Sequence, residues 1–72
     1  MNSALLKGKM REHGLSQKDM ADRIGVSLSR FNAKLNATGG AEFSLGEVRA
    51  MIPILNLTPD LVDDIFFTTK VS

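Results

Sequence analysis

The 72-residue sequence contains no cysteine and only one histidine, His13. It therefore has neither a disulfide framework nor a thiolate metal site, and one imidazole cannot form a histidine cluster. A chain without disulfides suits a reducing compartment, so we expect it in the cytoplasm. A single core of this size is only marginally stable without cross-links, which makes a dimer unsurprising.

Long apolar runs are missing as well. The longest apolar stretch, residues 51–57 (MIPILNL), is far shorter than the roughly 20 residues that a membrane-spanning helix needs. Residues 1–12 (MNSALLKGKMRE) lack the apolar segment of a secretory signal. We therefore expect residues 1–72 to form one soluble domain that is not exported and has no membrane partner.

The patterns of catalytic and cofactor sites are also missing. There is no nucleophile–base pair and no metal-ligand spacing, and Gly39-Gly40 is not followed by the Lys-Ser/Thr of a phosphate-binding loop. The sequence therefore predicts a protein that has no cofactor or metal and is not an enzyme.

Net charge is only +1, which is weak for a nucleic-acid-binding protein, but the charge is unevenly placed. Residues 1–36 contain seven Lys or Arg and three Asp or Glu, a net of +4, whereas residues 37–72 contain two and five, a net of −3. Solvated helices can show such a split by chance. The alternative is that the basic half binds an anionic partner, because it contains a candidate recognition unit.

That unit is residues 16–36 (SQKDMADRIGVSLSRFNAKLN), which carry the pattern of two short helices joined by a tight turn. Ser16 and Asp19 have the spacing of a capping box at the start of the first helix. Gly25 suits the left-handed backbone at its end, and Ser27 can cap the second helix. Apolar residues at helical spacing predict the inward side: Met20, Ala21, Ile24, Val26, Phe31 and Leu35. A helix–turn–helix with a polar second helix fits the major groove of DNA.

One helix is predicted before this unit and a connector after it. The helix runs from Ala4 to about His13, with Ser3 as its cap and Gly14 at its end. Its apolar side consists of Leu5, Leu6 and Met10. Residues 36–43 (NATGGAEF) then form a turn-rich connector.

Two helices are predicted after the connector. Ser44 and Glu47 repeat the capping-box spacing at the start of the fourth helix, and Thr58-Pro59 marks the start of the fifth. Pro53 should end or kink the fourth helix just before it, although one more turn could follow. The predicted inward residues are Leu45, Val48, Met51, Ile52, Leu55, Leu61, Val62, Ile65 and Phe66. The chain is thus predicted to be a compact all-α domain of five helices.

The end of the chain, residues 67–72, contains a candidate protein interface. Phe66 and Phe67 lie about 100° apart on a helix, so one small core cannot bury both. Phe66 continues the inward stripe, which leaves Phe67 and Val71 as apolar residues that could meet a second copy or another protein. An isolated exposed aromatic residue is the alternative interpretation. The β-branched residues after Phe67 predict an extended tail or a short strand.

The sequence SQKDMADRIGVSLSRFNAKLN resembles the helix–turn–helix of the phage repressor and Cro-like (lambda-repressor-like) family. The family pattern is Ser/Thr-Gln, a helix with a central Ala, Gly, an apolar residue, Ser and an amphipathic helix. The resemblance extends through LKGK and FSLGEV and covers about residues 3–66. It implies a small temperate-phage transcription regulator that binds operator DNA as a homodimer in the cytoplasm of the bacterial host.

Candidate DNA contacts follow from positions in this unit. By resemblance, Gln17 is the family glutamine that fixes register on a phosphate, and Asn36 touches a phosphate as the corresponding loop of the family often does. Charge suits Lys18 and Arg23 to phosphates, and the polar side chains of the second helix can read base edges. Each could equally be an ordinary solvated residue. The complete predicted set is Gln17, Lys18, Arg23, Ser27, Leu28, Ser29, Arg30, Asn32, Lys34 and Asn36.

Two departures from the family pattern leave alternatives open. Leu28 stands where the family usually has a polar residue, and it could join an apolar stripe, pack on a thymine methyl or contact a protein. Met10 stands where the family often has Arg, so one anchoring charge is missing. We predict a sequence-specific DNA-binding transcription regulator that occludes a promoter. The alternative is an antirepressor or modulator that binds a phage repressor protein through the same scaffold.

Overall fold

The computed structural model describes residues 1–67 and shows a domain built from helices alone. A 3₁₀ segment, Thr38–Gly40, follows the third helix, and a π-helical turn, Asp63–Phe67, continues the fifth. The α-helices are α1 (Ser3–Glu12), α2 (Gln17–Ile24), α3 (Leu28–Leu35), α4 (Leu45–Leu55) and α5 (Pro59–Val62). Residues 1–67 contain no strand, which confirms the prediction of an all-α domain of five helices. The predicted tail after Phe67, including Val71, lies outside the described residues.

The core is apolar and receives side chains from α1 to α4, from the α4–α5 connection and from the π-helical turn. Its members are Leu6, Met10, Met20, Ala21, Phe31, Leu35, Met51, Leu55, Leu57 and Ile65. No polar or charged residue in the described part of the chain is buried. Other predicted inward residues are half-buried and pack against this cluster: Leu5, Ile24, Val26, Ile52, Leu61, Val62 and Phe66. None of the described helices is long and apolar enough to cross a membrane.

Local signals at the starts of α2, α4 and α5 are confirmed. The Ser16 backbone N–H donates to the Asp19 carboxylate at 2.9 Å, and the Asp19 N–H donates to Ser16 Oγ at 3.0 Å. Ser44 and Glu47 form the second capping box in the same way, with distances of 2.7 and 3.1 Å. Thr58 Oγ1 accepts the Leu61 N–H at 3.2 Å at the start of α5. Each cap satisfies backbone donors that the first helical turn leaves unpaired.

The predicted start of α1 is wrong by one residue. The cap is Asn2, whose Oδ1 accepts the Leu5 N–H at 3.0 Å, and Ser3 is the first helical residue. Asn2 is held in place because its own N–H donates to the Ile65 carbonyl at 2.7 Å. This bond joins the start of α1 to the π-helical turn, a pairing that no local pattern could indicate.

One prediction for α4 needs a correction, and the structure decides another that the sequence left open. Leu45 was predicted to face the core but is 59% exposed, because the first helical residue of α4 points away from the domain. Of the outcomes predicted at Pro53, the structure shows the further turn: the helix continues through Pro53 to Leu55 and ends at Asn56, which has a left-handed φ of +51°. Pro53 is tolerated on the solvent side: both it and Arg49 are exposed, so water can satisfy the Arg49 carbonyl that proline leaves without a donor.

Candidate nucleic-acid interface

The turn between α2 and α3 sets the direction of the exposed helix. Gly25 adopts φ +80°, and the next residue, Val26, donates its N–H to the Ala21 carbonyl at 3.0 Å and packs against the core. Ser27 then caps α3, since its Oγ accepts the Arg30 N–H at 3.1 Å. Such a compact turn holds α2 and α3 in a defined helix–turn–helix arrangement.

Helix α3 has one buried side and one exposed side. Phe31 and Leu35 are 0% and 1% exposed, which confirms the predicted inward face. The opposite side presents a mostly polar set of exposed residues: Leu28, Ser29, Arg30, Asn32 and Asn36. Leu28 is 46% exposed, so the interpretation that it joins the inward stripe is wrong. The exposed side contains the hydrogen-bonding groups that reading of base edges requires.

A chain of amide hydrogen bonds joins α2 to the outer side of α3. Asn32 Nδ2 donates to Gln17 Oε1 at 2.8 Å, and Asn36 Nδ2 donates to Asn32 Oδ1 at 3.0 Å. Gln17 therefore uses its carbonyl oxygen within the protein and keeps its Nε2 donors for another acceptor. Two hydrogen bonds within the protein thus orient the Asn32 side chain.

Two adjoining surface depressions meet at Gln17, one end of this amide chain. One is lined by Ser16, Gln17, Lys18, Leu28, Ser29 and Asn32, which brings together five of the predicted DNA contacts. The second shares Ser16 and Gln17 and adds Lys7, Met10, Arg11, Gly14 and Leu15. Lys7 and Arg11 are exposed and were not among the predicted contacts. Their spacing of four residues on α1 is a signal that could have indicated a basic helix face.

The basic residues of α2 and α3 differ in whether an ion pair within the protein already engages their charge. Lys18 pairs with Asp22 at 3.3 Å, but both side chains are well exposed and solvent screens the pair. Arg23 and Arg30 are exposed and form no ion pair within residues 1–67. These three residues can therefore approach an anionic partner at little cost.

Lys34 occupies a different position from the other predicted contacts. Its Nζ lies 2.6 Å from Glu47 Oε2, with side chains only 18% and 14% exposed. Burial raises the pKa of Glu47, but the hydrogen bonds from Lys34 and the Ser44 N–H outweigh this effect and hold the pKa below its ordinary value. The pair joins the end of α3 to the start of α4, and the Glu47 carboxylate offsets the positive charge of Lys34.

The candidate protein interface at Phe67 lies at the end of a series of aromatic contacts. Ring centroids are 5.4 Å apart for Phe31 and Phe43, 6.2 Å for Phe43 and Phe66, and 6.5 Å for Phe66 and Phe67. The series begins in the core and ends at Phe67, which is 57% exposed, so the predicted outward direction of Phe67 is confirmed. The role of Phe67 in an interface remains a prediction.

Within residues 1–67, no group of three or more His, Cys, Asp or Glu side chains is arranged to hold a metal ion. Comparisons of the chain with models of protein families, with curated proteins and with solved structures found no match.

Proposed function

We propose that this protein is a sequence-specific DNA-binding transcription regulator whose helix α3 enters the major groove. The observation that carries this proposal is the exposed polar side of α3, whose Asn32 side chain is hydrogen-bonded to Gln17 of α2 and to Asn36. The phage repressor and Cro-like resemblance of the sequence supports the same function.

Each part of the interface has a role that suits its chemistry. Gln17 donates its free Nε2 to a phosphate, and Lys18 and Arg23 neutralise neighbouring phosphates. Lys7 and Arg11 extend the basic surface along α1, beside Gln17. The exposed side chains near the start of α3 read bases, because that end of a recognition helix reaches furthest into the groove.

The regulator acts as a homodimer that occludes a promoter. The exposed side of an eight-residue helix can contact only a few base pairs, and two-fold symmetry doubles the site that is read. A regulator similar to the phage repressor and Cro-like family would work in the cytoplasm of a phage-infected bacterium. Because Lys34 is neutralised by Glu47, we assign it no direct phosphate contact in this proposal.

Selection of bound duplexes from a random pool, followed by salt titration, tests the proposal. A preferred sequence should emerge, and the logarithm of its affinity should fall linearly with the logarithm of salt concentration by about 0.9 for each phosphate neutralised. Lys18→Ala should flatten that slope by about one unit without changing the preferred sequence. Arg49→Ala, which removes an exposed arginine on α4, is the matched control and should leave the slope unchanged. Failure to enrich any duplex would contradict the proposal.

A second candidate function is an antirepressor or modulator that binds a phage repressor protein. The exposed Leu28, at the start of α3, favours it, because an exposed leucine on a recognition helix also suits a protein contact. Sedimentation of the chain with a regulator encoded beside its gene, with and without operator DNA, separates the two. A complex that forms without DNA and that Leu28→Ala abolishes would support the second function.

A further inference from the structure

Leu28, Asn32 and Asn36 form one line along the outer side of α3. They follow each other at intervals of four residues, which places their side chains on the same helix face, and all three are exposed. Gln17 reaches the middle of this line from α2. The line thus contains one apolar side chain followed by an asparagine held by two neighbours.

The hydrogen bonds of Asn32 restrict what else it can bind. A primary amide has two N–H donors and two acceptor lone pairs. One donor of Asn32 is used by Gln17 Oε1 and one lone pair by Asn36 Nδ2. The side chain therefore keeps one donor and one acceptor. Turning this amide over while Gln17 and Asn36 keep their orientations would break both internal bonds.

We infer that this line reads an A·T-containing step, with Asn32 on an adenine and Leu28 on a nearby thymine methyl; this inference rests on the proposed DNA-binding function. Adenine presents an acceptor, N7, beside a donor, N6, in the major groove, which matches the groups that Asn32 has left. Guanine presents two acceptors, N7 and O6, and would need two donors from Nδ2. One of these is committed to Gln17, so the amide chain discriminates adenine from guanine.

Leu28 is the residue that recognises the thymine of this step. It is 46% exposed in a depression whose other lining residues are all polar or charged. The thymine methyl is the apolar group that the major groove presents, so it is the feature an exposed leucine can recognise. Four helical residues rise about 6 Å, so the thymine lies within about two base pairs of the adenine when the helix follows the groove.

Modified bases in the selected duplex test the inference atom by atom. Deoxyuridine in place of thymidine removes only the methyl, and 7-deazaadenine removes only the N7 acceptor. We expect one thymine position at which deoxyuridine weakens binding by about 2- to 10-fold, and one adenine position at which the deaza base weakens it by about 5- to 100-fold. The first effect should vanish in Leu28→Ala and the second in Asn32→Ala, because the group that recognises the missing atom is gone.

Asn36 is a positioning residue, and its test uses a ratio of affinities. Asn36→Ala should reduce the preference for adenine over guanine at the Asn32 position, since only the Gln17 bond then opposes turning of the amide. Loss of a phosphate contact alone would weaken the adenine and guanine duplexes equally. Circular dichroism of each variant checks that the helices are intact.

The outcomes separate the inference from the function it rests on. If a preferred duplex is bound but every deoxyuridine and 7-deazaadenine substitution is neutral, the inference is wrong and the proposed function stands. An unchanged adenine preference in Asn36→Ala would show that the Asn36 bond does not orient Asn32, and that part of the inference would be wrong. If no duplex is selected, both the inference and the proposed function fail.

Discussion

Glu47 provides a test of the contacts that hold α3 in place. Its carboxylate accepts hydrogen bonds from Lys34 Nζ at 2.7 and 2.6 Å and from the Ser44 N–H at 2.7 Å. One side chain thus pairs with α3 and caps α4. Glu47→Gln keeps the shape and one acceptor oxygen but removes the charge, which leaves the part-buried Lys34 ammonium without its partner.

The expected loss follows from these contacts. A hydrogen bond to a charged group contributes about 1.5–3 kcal/mol, and residual exposure of both side chains reduces this value. The substituted amide retains part of the capping interaction. We therefore expect Glu47→Gln to lower the free energy of unfolding by about 1–2 kcal/mol, which for a domain of this size lowers Tm by about 4–8 °C per kcal/mol.

The same reasoning predicts the pH dependence. The pKa of Glu47 is lowered in the folded protein despite the opposing effect of burial, because Lys34 and the Ser44 N–H bind the ionised carboxylate. Such a carboxylate stabilises the fold fully above its unfolded-state pKa, and the stabilisation is lost as pH falls through the folded-state pKa. The difference in stability between the parent protein and Glu47→Gln should be complete at neutral pH and shrink in acid.

Thermal and urea unfolding followed by circular dichroism, from neutral pH to about pH 3, measures this difference. Glu42→Gln is the matched control, because Glu42 is exposed and has no hydrogen bond or ion pair among the side-chain contacts of residues 1–67. Equal shifts of Tm in the two variants, or a Glu47→Gln difference that persists in acid, would refute the reasoning.

Four further substitutions test the core and the candidate protein interface. Phe31→Ala should cost about 3–5 kcal/mol, enough to unfold so small a domain, and a folded variant by circular dichroism would contradict the assigned core face of α3. Leu35→Ala should cost about 2–5 kcal/mol in urea unfolding, whereas Leu45→Ala should change stability by less than about 0.5 kcal/mol, because Leu35 is buried and Leu45 is exposed. Phe67→Ser, combined with deletion of residues 68–72, should leave the monomer folded but weaken self-association or partner binding in sedimentation; identical mass and partner affinity in variant and parent across concentration would exclude an interface there.

Sequence alone determined the features that depend on neighbours three or four residues apart. The Ser16–Asp19 and Ser44–Glu47 capping boxes were predictable because both partners lie within one helical turn. The inward face of α3 was predictable because Phe31 and Leu35 recur at helical spacing. Gly25 could be placed at the end of α2 because its left-handed backbone is a local requirement.

The tertiary structure decided the features whose partners are distant in the sequence. The Gln17–Asn32 bond joins residues 15 positions apart, and the Lys34–Glu47 pair joins residues 13 positions apart. Asn2 replaced Ser3 as the cap of α1 because the Ile65 carbonyl holds its backbone. Each of these contacts depends on how two elements approach each other, and that approach is set by packing of the whole core rather than by local spacing. For this reason the sequence indicated that Ser29, Arg30 and Asn32 are exposed on α3. Only the fold showed that Leu28 is exposed as well, that Asn32 is oriented by its neighbours and that Lys34 is already paired.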